Sequence, residues 1–190
     1  MTRAVTPPAS VGRTLLNKVP EVTLLFWVIK IMATTVGETA ADYLAGNLGF
    51  GLTATTLIMT VLLGGALVLQ FRRPRYVPWV YWFAIVLISV VGTLFSDNLV
   101  DNFGVSLWTT TALFGVAMAI AFGAWYRTEG TLSIHHVDTP KREAFYWIAI
   151  LFAFALGTSA GDLISEKLDL GYWKSIVLFG ALIALVAAGR

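Results

Sequence analysis

Cysteine is absent from this 190-residue chain, and charged residues are scarce. Without cysteine, the chain forms no disulfide and no thiolate metal site. Asp, Glu, Lys and Arg make up 13% of the residues, whereas about 25% is usual for a soluble domain. The sequence also has no Gly-rich phosphate loop and no HExxH or CxxC motif. We therefore predict that the protein is not an enzyme.

Long apolar stretches separate the few charges, and hydrophobic residues make up 57% of the chain. The stretches are roughly 20 residues long, which is the length that crosses ~30 Å of hydrocarbon. Their number and length predict an integral membrane protein whose main partner is the lipid bilayer. The net charge of +2 is no sign of nucleic-acid binding, because the basic residues lie in short loops between the apolar stretches.

One pattern occurs three times, in the segments FWVIKIMATTVGETAADYL, YWFAIVLISVVGTLFSDNL and YWIAILFAFALGTSAGDLI. In each copy a Trp is followed ten residues later by a Gly, and five residues further by an Asp. These columns are Trp27, Trp82 and Trp147, then Gly37, Gly92 and Gly157, then Asp42, Asp97 and Asp162. A hydroxyl in the following helix also recurs, at Thr55, Thr110 and Ser175. Duplication of a two-helix hairpin explains the pattern.

The repeats predict an all-α fold with six transmembrane helices in three hairpins. The helices are predicted near residues 22–46, 52–71, 78–101, 107–126, 144–167 and 172–189. The chain then divides into four parts: a cytoplasmic lead-in at residues 1–20, the first hairpin at 21–73, the second hairpin with its cytoplasmic loop at 74–139, and the third hairpin at 140–190. The polar lead-in is predicted to be mobile and to carry no chemistry.

Basic residues predict the orientation of the chain. They cluster before the first helix, in the links between hairpins and after the last helix, whereas the hinges inside each hairpin are short and contain Gly. By the positive-inside bias, both termini and the links are cytoplasmic, in the inner (plasma) membrane. All three hairpins then run in the same direction, as parallel repeats about an axis along the membrane normal. They either surround a central path or were duplicated for packing alone, and symmetry does not decide between these.

Carboxylates inside the membrane are the main candidates for function. Glu38 lies 11 residues beyond Trp27, roughly 16 Å deep at a rise of 1.5 Å per residue and so close to the midplane. A charged group there costs at least ~2.5–3.5 kcal/mol unless it has a partner, a proton or water. A functional role for Glu38 is therefore predicted. The repeated Asp residues either take part in the same function or bond to neighbouring turns and helices as structural groups.

Helical geometry places the polar residues of the first helix, from Trp27 to Asp42, within an arc of about 100°. Thr93 and Thr158 occupy the position of Glu38 in the other two copies. The predicted transport or ion-binding residues are Glu38, Asp42, Asp97, Asp162, Thr34, Thr35, Thr93 and Thr158. The predicted metal ligands among them are Glu38, Asp42, Asp97 and Asp162. Asp101 and Glu166 are expected to be solvated at the outer interface, without a further role.

The remaining unusual residues have simpler interpretations. Gly37, Gly92 and Gly157 are predicted to be positions of close helix packing. Lys30 lies near the cytoplasmic interface and is expected to extend its amine towards water. The alternatives for Lys30 are a salt bridge to an acid on another helix, or a contact with substrate together with Trp27.

The motifs also resemble a known family. KVPEVTLLFWVIKIMATTVGETAADYL and YWIAILFAFALGTSAGDLI resemble a family of bacterial and archaeal "membrane-anchored proteins" built from a repeat of unknown function, from Lys18 onward. The family name implies no activity. Its members typically continue into a fourth hairpin, so the resemblance implies that the fourth hairpin is missing here, because the chain is truncated or because a partner, such as a second copy, supplies it.

The set of polar groups predicts the kind of ligand. Oxygen ligands without intramembrane Cys or His suit hard cations such as Mn²⁺, Mg²⁺, Ca²⁺, Na⁺ or H⁺, and argue against Cu and Zn. We therefore predict a transporter or channel for a small hard cation. A hard divalent cation is the only cofactor that the sequence suggests. The alternative is a membrane scaffold or receptor subunit whose acids only stabilise helix packing. A further alternative is a carrier of small organic solutes.

Overall fold

A computed structural model describes residues 17–134 and 137–188. Within these ranges the chain is all-helical, which confirms the predicted fold class. The six long helices are α1 (Leu24–Asp42), α2 (Leu52–Phe71), α3 (Pro78–Asp97), α4 (Leu107–Glu129), α5 (Pro140–Asp162) and α6 (Gly171–Ala188). They form three consecutive hairpins, each made of one odd-numbered helix and the even-numbered helix that follows it.

The helices have the length and composition of membrane spans. Five helical segments of the described residues are long and apolar enough to cross a membrane, and α6 adds a shorter apolar stretch, Gly171–Val186. The protein is therefore a multi-pass membrane protein. We call the end of the bundle with the loops inside the hairpins the hinge end. The end with the loops between hairpins is the link end.

Side-chain caps and prolines set where the helices begin. The hydroxyls of Thr23, Ser106 and Thr139 accept hydrogen bonds from backbone N–H groups three residues later, at 3.2, 3.2 and 3.3 Å. These bonds satisfy donors that have no partner within the first turn. Pro78 and Pro140 occupy the first positions of α3 and α5, where the missing N–H costs nothing.

Each odd-numbered helix ends in a five-residue π-helical turn that directly follows the repeated Asp. The three turns are Tyr43–Asn47, Asn98–Asn102 and Leu163–Lys167. In each, a backbone N–H donates to the carbonyl five residues earlier at 3.0 Å, from Leu48 to Tyr43, Phe103 to Asn98 and Leu168 to Leu163. Single π-helical turns of this kind are found frequently at functional sites. The sequence pattern is that of regular helices and gives no sign of these turns.

Helix α3 lies at the centre of the bundle. Helices α1, α2 and α5 all pack against it, and α4 packs against α5. Helix α6 mainly contacts the π turn that precedes it, and the described residues give it no extensive contact with another long helix. The odd-numbered helices therefore form the row α1–α3–α5, and the even-numbered helices α2 and α4 each lie on the odd-numbered helix of the next hairpin.

The link end is closed by buried aromatic side chains and by the segment that precedes α1. Tyr81 and Tyr146 are buried, and their hydroxyls form a hydrogen bond. Lys18 is also buried, and its Nζ donates to Glu143 Oε2 at 2.6 Å and to the carbonyl of Phe71 at 3.1 Å. Gln70 Nε2 donates to the other Glu143 oxygen at 3.1 Å.

Backbone hydrogen bonds hold the same segment between the two links. The N–H of Tyr76 donates to the carbonyl of Asn17 at 3.3 Å, and the N–H of Lys18 donates to the carbonyl of Val137 at 3.2 Å. For residues 17–19 the prediction of a mobile lead-in is therefore wrong, because a buried charge and two links fix them in place. Residues 1–16 lie outside the described residues.

Candidate functional site

A cavity of about 750 Å³ lies between the odd-numbered helices at the hinge end. All three hairpins contribute to its wall. Six carboxylates line it: Glu38, Asp42, Asp97, Asp101, Asp162 and Glu166. Of the described residues, no Lys or Arg lines it. The cavity is therefore strongly acidic, with each hairpin supplying two of its carboxylates.

The repeat explains why the carboxylates meet. Each odd-numbered helix contributes an Asp as its last α-helical residue, and the π turn follows at once. In α3 and α5 the second acid, Asp101 or Glu166, lies within this π turn and also lines the cavity. The expectation that Asp101 and Glu166 have no role beyond solvation missed this position. The signal available in the sequence was the spacing of four residues between the paired acids.

Hydroxyl groups form one wall of the cavity deeper between the helices. Thr93 Oγ1 lies 3.1 Å from Thr158 Oγ1, within hydrogen-bond distance, and Thr93 is buried. Both residues line the cavity at the position that Glu38 occupies in the first repeat. At this level α1 therefore contributes a carboxylate, while α3 and α5 contribute hydroxyls.

The carboxylates of the cavity take no part in fixing the helices to one another. Among the described residues, none of the six forms an ion pair or a side-chain hydrogen bond. The polar contacts next to them are made by amides and hydroxyls. Asn98 Nδ2 donates to Thr56 Oγ1 at 2.6 Å and to the carbonyl of Leu94 at 2.8 Å, and Asn102 Nδ2 donates to Asn98 Oδ1 at 2.7 Å. The acids are therefore free to interact with solvent or a solute.

The carboxylates share the cavity without forming a coordination shell. In the described part of the chain, no group of three or more His, Cys, Asp or Glu side chains is placed to hold a metal ion. Direct metal ligation by Glu38, Asp42, Asp97 and Asp162 together, as predicted from the sequence, is thus not seen in this conformation. A cavity of this size holds an ion together with part of its hydration shell, so the carboxylates can act through water.

Thr34 and Thr35 lie outside the cavity wall, in contrast to the prediction from the helical arc. Their hydroxyls donate to the carbonyls of Lys30 at 2.9 Å and of Ile31 at 3.1 Å, within α1. The carbonyl of Thr34 also accepts a hydrogen bond from Ser89 Oγ at 3.3 Å. Thr34 therefore belongs to the contact between α1 and α3, and the polar arc of α1 faces the cavity only from Glu38 onward.

Lys30 and Trp27 are also separate from the cavity. Lys30 Nζ lies 4.5 Å from the centroid of the Phe154 ring on α5, which is cation–π distance. No ion pair between Lys30 and an acid occurs among the described residues, so the predicted salt bridge is not found. The Trp27 ring packs edge-on against Phe26 at 5.8 Å. Neither residue lines the cavity, so a contact with a solute there has no support.

The repeated glycines differ in their surroundings. A Cβ at Gly37 would lie 2.5 Å from Ser89 Cβ and 3.1 Å from Val90 N, both on α3. A Cβ at Gly92 would lie 2.7 Å from Phe154 Cβ and 3.1 Å from Ala155 N, both on α5. Only glycine allows these approaches. At Gly157, however, no described atom lies within 4 Å, so the packing predicted for this glycine is not found within the chain.

Comparison with known proteins supports the repeat organisation. A family model described as "Repeat of Unknown Function (DUF347)" matches residues 25–76, 80–131 and 145–189. Each match spans one hairpin, and together they cover most of the chain. No curated protein and no solved structure matches the chain.

Proposed function

The chain belongs to the family built from the DUF347 repeat of unknown function, and we propose that it transports a small hard cation through the acidic cavity. The observation that carries this proposal is the cavity itself. Carboxylates from all three hairpins line one space and none of them is used in helix packing. Unpaired acids at membrane depth are costly, and a bound cation with its water offsets that cost.

The charge distribution favours a cation over other solutes. A cavity lined by charge of one sign within a low-dielectric wall concentrates ions of the opposite sign. Oxygen ligands favour hard ions, and Mg²⁺ in particular keeps several of its waters when it binds. Because no set of acids in the described ranges forms a coordination shell, we propose that the ion enters the cavity partly hydrated.

The packing between the hydroxyl pair Thr93–Thr158 and the link end favours a carrier over an open channel. Towards the link end, Tyr81 and Ile85 of α3 are fully buried, and Tyr146 and Trp147 of α5 are buried beside them. Passage of an ion therefore requires the helices to move. Given the basic links, we propose that the cavity faces the outside of the inner membrane in this conformation.

The rival role as a scaffold has less support. It assigns the acids to helix packing, whereas the polar contacts between helices are made by groups such as Asn98 and Ser89. A carrier of organic anions would need positive charge in the cavity, and of the described residues no Lys or Arg lines it. We also favour transport over enzymatic activity because, among the described residues, no hydrogen bond joins a hydroxyl of the cavity wall to one of its carboxylates.

Flux through purified protein tests the proposal. In proteoliposomes we expect cation uptake with the parent protein and a loss of at least about tenfold with Asp97→Asn or Asp162→Asn. Glu21→Gln is the matched control, because Glu21 is exposed and lies before α1. Uptake that survives the combined change Glu38→Gln, Asp97→Asn and Asp162→Asn, across mono- and divalent cations, would overturn the proposal.

A further inference from the structure

The two contacts between neighbouring hairpins are built in the same way. In both, a groove centred on the repeated glycine of one odd-numbered helix receives the odd-numbered helix of the next hairpin. On α1 the groove consists of Ala33, Gly37 and Ala41, spaced by four residues and buried against α3. On α3 it consists of Ile88, Gly92 and Ser96, also buried. The close approaches at the two glycines agree within 0.2 Å, at 2.5 and 2.7 Å.

The same groove on α5 is open. It consists of Ala153, Gly157 and Gly161, at the corresponding positions of the third repeat. Ala153 and Gly157 are exposed, and no described atom lies within 4 Å of a Cβ at Gly157 or Gly161. Within a membrane such small residues at four-residue spacing allow helix backbones to approach closely.

The complementary surface is also open, and it lies at the other end of the same chain. Helix α3 buries Leu87, Val90, Val91 and Leu94 against its neighbours. Their counterparts on α1 are Met32, Thr35, Val36 and Thr39, which we call the free face of α1; Thr39 also lines the edge of the cavity. All four are exposed, Met32 to 62% and Val36 to 54%. Helix α1 thus has the surface that fits the groove on α5, but no helix among the described residues covers it.

The even-numbered helices give an independent indication of the same partner. Helix α2 buries Leu63 and Ala66 on α3, and α4 buries Ala121. The counterparts of Leu63 and Ala66 on α6 are Ile183 and Val186, which are exposed to 46% and 63%. An α1 helix placed in the groove of α5 would lie beside α6 as α3 lies beside α2.

We infer that the third hairpin of one copy binds the first hairpin of a second copy, head to tail. The free face of α1 in the second copy packs into the Ala153–Gly157–Gly161 groove, and α6 covers that helix. The contact is heterologous, because it joins two different surfaces of identical chains. It repeats the register that places Asp97 beside Asp42, so it brings Glu38 and Asp42 of the second copy to the Asp162 side of the cavity. The inference rests on helix packing alone and does not depend on the proposed transport.

Cross-linking tests the polarity of the contact. The absence of cysteine allows one cysteine to be placed in each of two differently tagged copies, Thr35→Cys in one and Ala153→Cys in the other. With a short bis-maleimide in membranes, we expect cross-linked dimers when the two variants are expressed together, and none from either variant alone. Cross-linking of Ala153→Cys with itself would indicate a symmetric contact and would overturn the inference, as would the absence of any cross-link.

Substitution of a groove glycine, compared with substitution of a glycine outside the groove, provides the second test. Gly157→Leu should reduce the cross-linked fraction at least tenfold and yield monomers by native mass spectrometry. The matched control is Gly123→Leu on α4, because Gly123 is also exposed and has no described atom within 4 Å of its Cβ. A Cβ at either position has no described atom within 4 Å, so we expect both variants to keep the helical content of the parent. Assembly of the Gly157→Leu variant at the level of the control would overturn the inference.

Discussion

Lys18 and Glu143 are 125 residues apart in the sequence, and their side chains meet at 2.6 Å in a buried ion pair. The pair joins the segment before α1 to the first turn of α5. Gln70 and the carbonyl of Phe71 extend it to the end of α2. One buried cation thus connects the first and third hairpins at the link end.

Removing one partner of this pair should destabilise the fold. Lys18→Met leaves Glu143 buried without its counter-charge, and such losses cost about 3–5 kcal/mol. We expect a smaller loss for the double change Lys18→Met with Glu143→Leu, because no charge then stays buried. Unfolding by denaturant in detergent micelles measures both losses of stability.

Lys141→Met is the control. The Lys141 amine lies 3.9 Å from Glu129 and its side chain is 62% exposed, so the loss of stability should be below about 1 kcal/mol. A loss from Lys18→Met as small as that of the control would contradict the structure.

The hydroxyl pair Thr93–Thr158 should show energetic coupling. Thr93→Val and Thr158→Val each remove one partner of a contact of 3.1 Å, at a cost of about 1 kcal/mol. The double variant should lose less than the sum of the two single variants, because the second change removes a partner that is already unpaired. A double-mutant cycle on unfolding free energies measures the coupling. Strict additivity would show that the two hydroxyls do not interact.

The close helix contact at Gly92 predicts a large effect from one methyl group. A Cβ there would lie 2.7 Å from Phe154 Cβ and 3.1 Å from a backbone nitrogen. Gly92→Ala must therefore move α3 and α5 apart, at a cost of about 1–3 kcal/mol. Gly64→Ala, on the exposed side of α2, has no described atom within 4 Å and should be neutral or slightly stabilising. Thermal unfolding of the two variants side by side gives the comparison, and equal melting temperatures would speak against the contact.

The hinges contain a third set of matched positions. Gly49, Gly104 and Asp169 correspond in the three repeats and adopt φ angles of 71°, 65° and 51°. A side chain in this region costs about 1 kcal/mol or more. We expect Asp169→Gly to stabilise the protein and Gly104→Ala to destabilise it by about 1 kcal/mol, as measured by thermal unfolding. A loss of stability from Asp169→Gly, or a gain from Gly104→Ala, would contradict the hinge geometry.

Cation binding should be visible as a shift in stability. A ligand that binds only the folded state raises the melting temperature with its concentration. We expect a rise with at least one of Mn²⁺, Mg²⁺, Ca²⁺ or Na⁺, and its loss in Asp97→Asn. The variant Glu21→Gln should keep the rise, because its side chain lies outside the cavity wall. A shift that is equal in all three proteins would come from general salt effects and would count against the site.

The sequence was sufficient for the architecture and for part of the site. Three coincident columns of Trp, Gly and Asp predicted the hairpins, since duplication preserves spacing along a helix. The same register brought Asp42, Asp97 and Asp162 to one cavity. The π turns could not be predicted, because helical-wheel reasoning assumes a constant rotation per residue, and the cavity positions of Asp101 and Glu166 depend on these turns.

Two other features depend on contacts that are distant in the sequence. Thr34 and Thr35 do not line the cavity, and their hydroxyls bond to carbonyls of their own helix, which a polar arc does not reveal. Lys18 follows a polar, proline-containing stretch, and nothing in its surroundings indicates a partner 125 residues away. Local periodicity predicts which face of a helix is polar, whereas tertiary packing determines what that face meets.

The three π turns also have a mechanical consequence. The hydrogen-bonded ring of a π turn contains one more residue than that of an α-helical turn. If the turn became α-helical, the residues that follow it would therefore rotate about the helix axis by about 100°. In each hairpin the rotation would leave the Trp-bearing end of the helix where it is and swing the hinge. Asp101 and Glu166 lie within such turns. The second and third turns are therefore rotary joints, in which a small change in backbone hydrogen bonding would move a carboxylate of the cavity wall, Asp101 or Glu166.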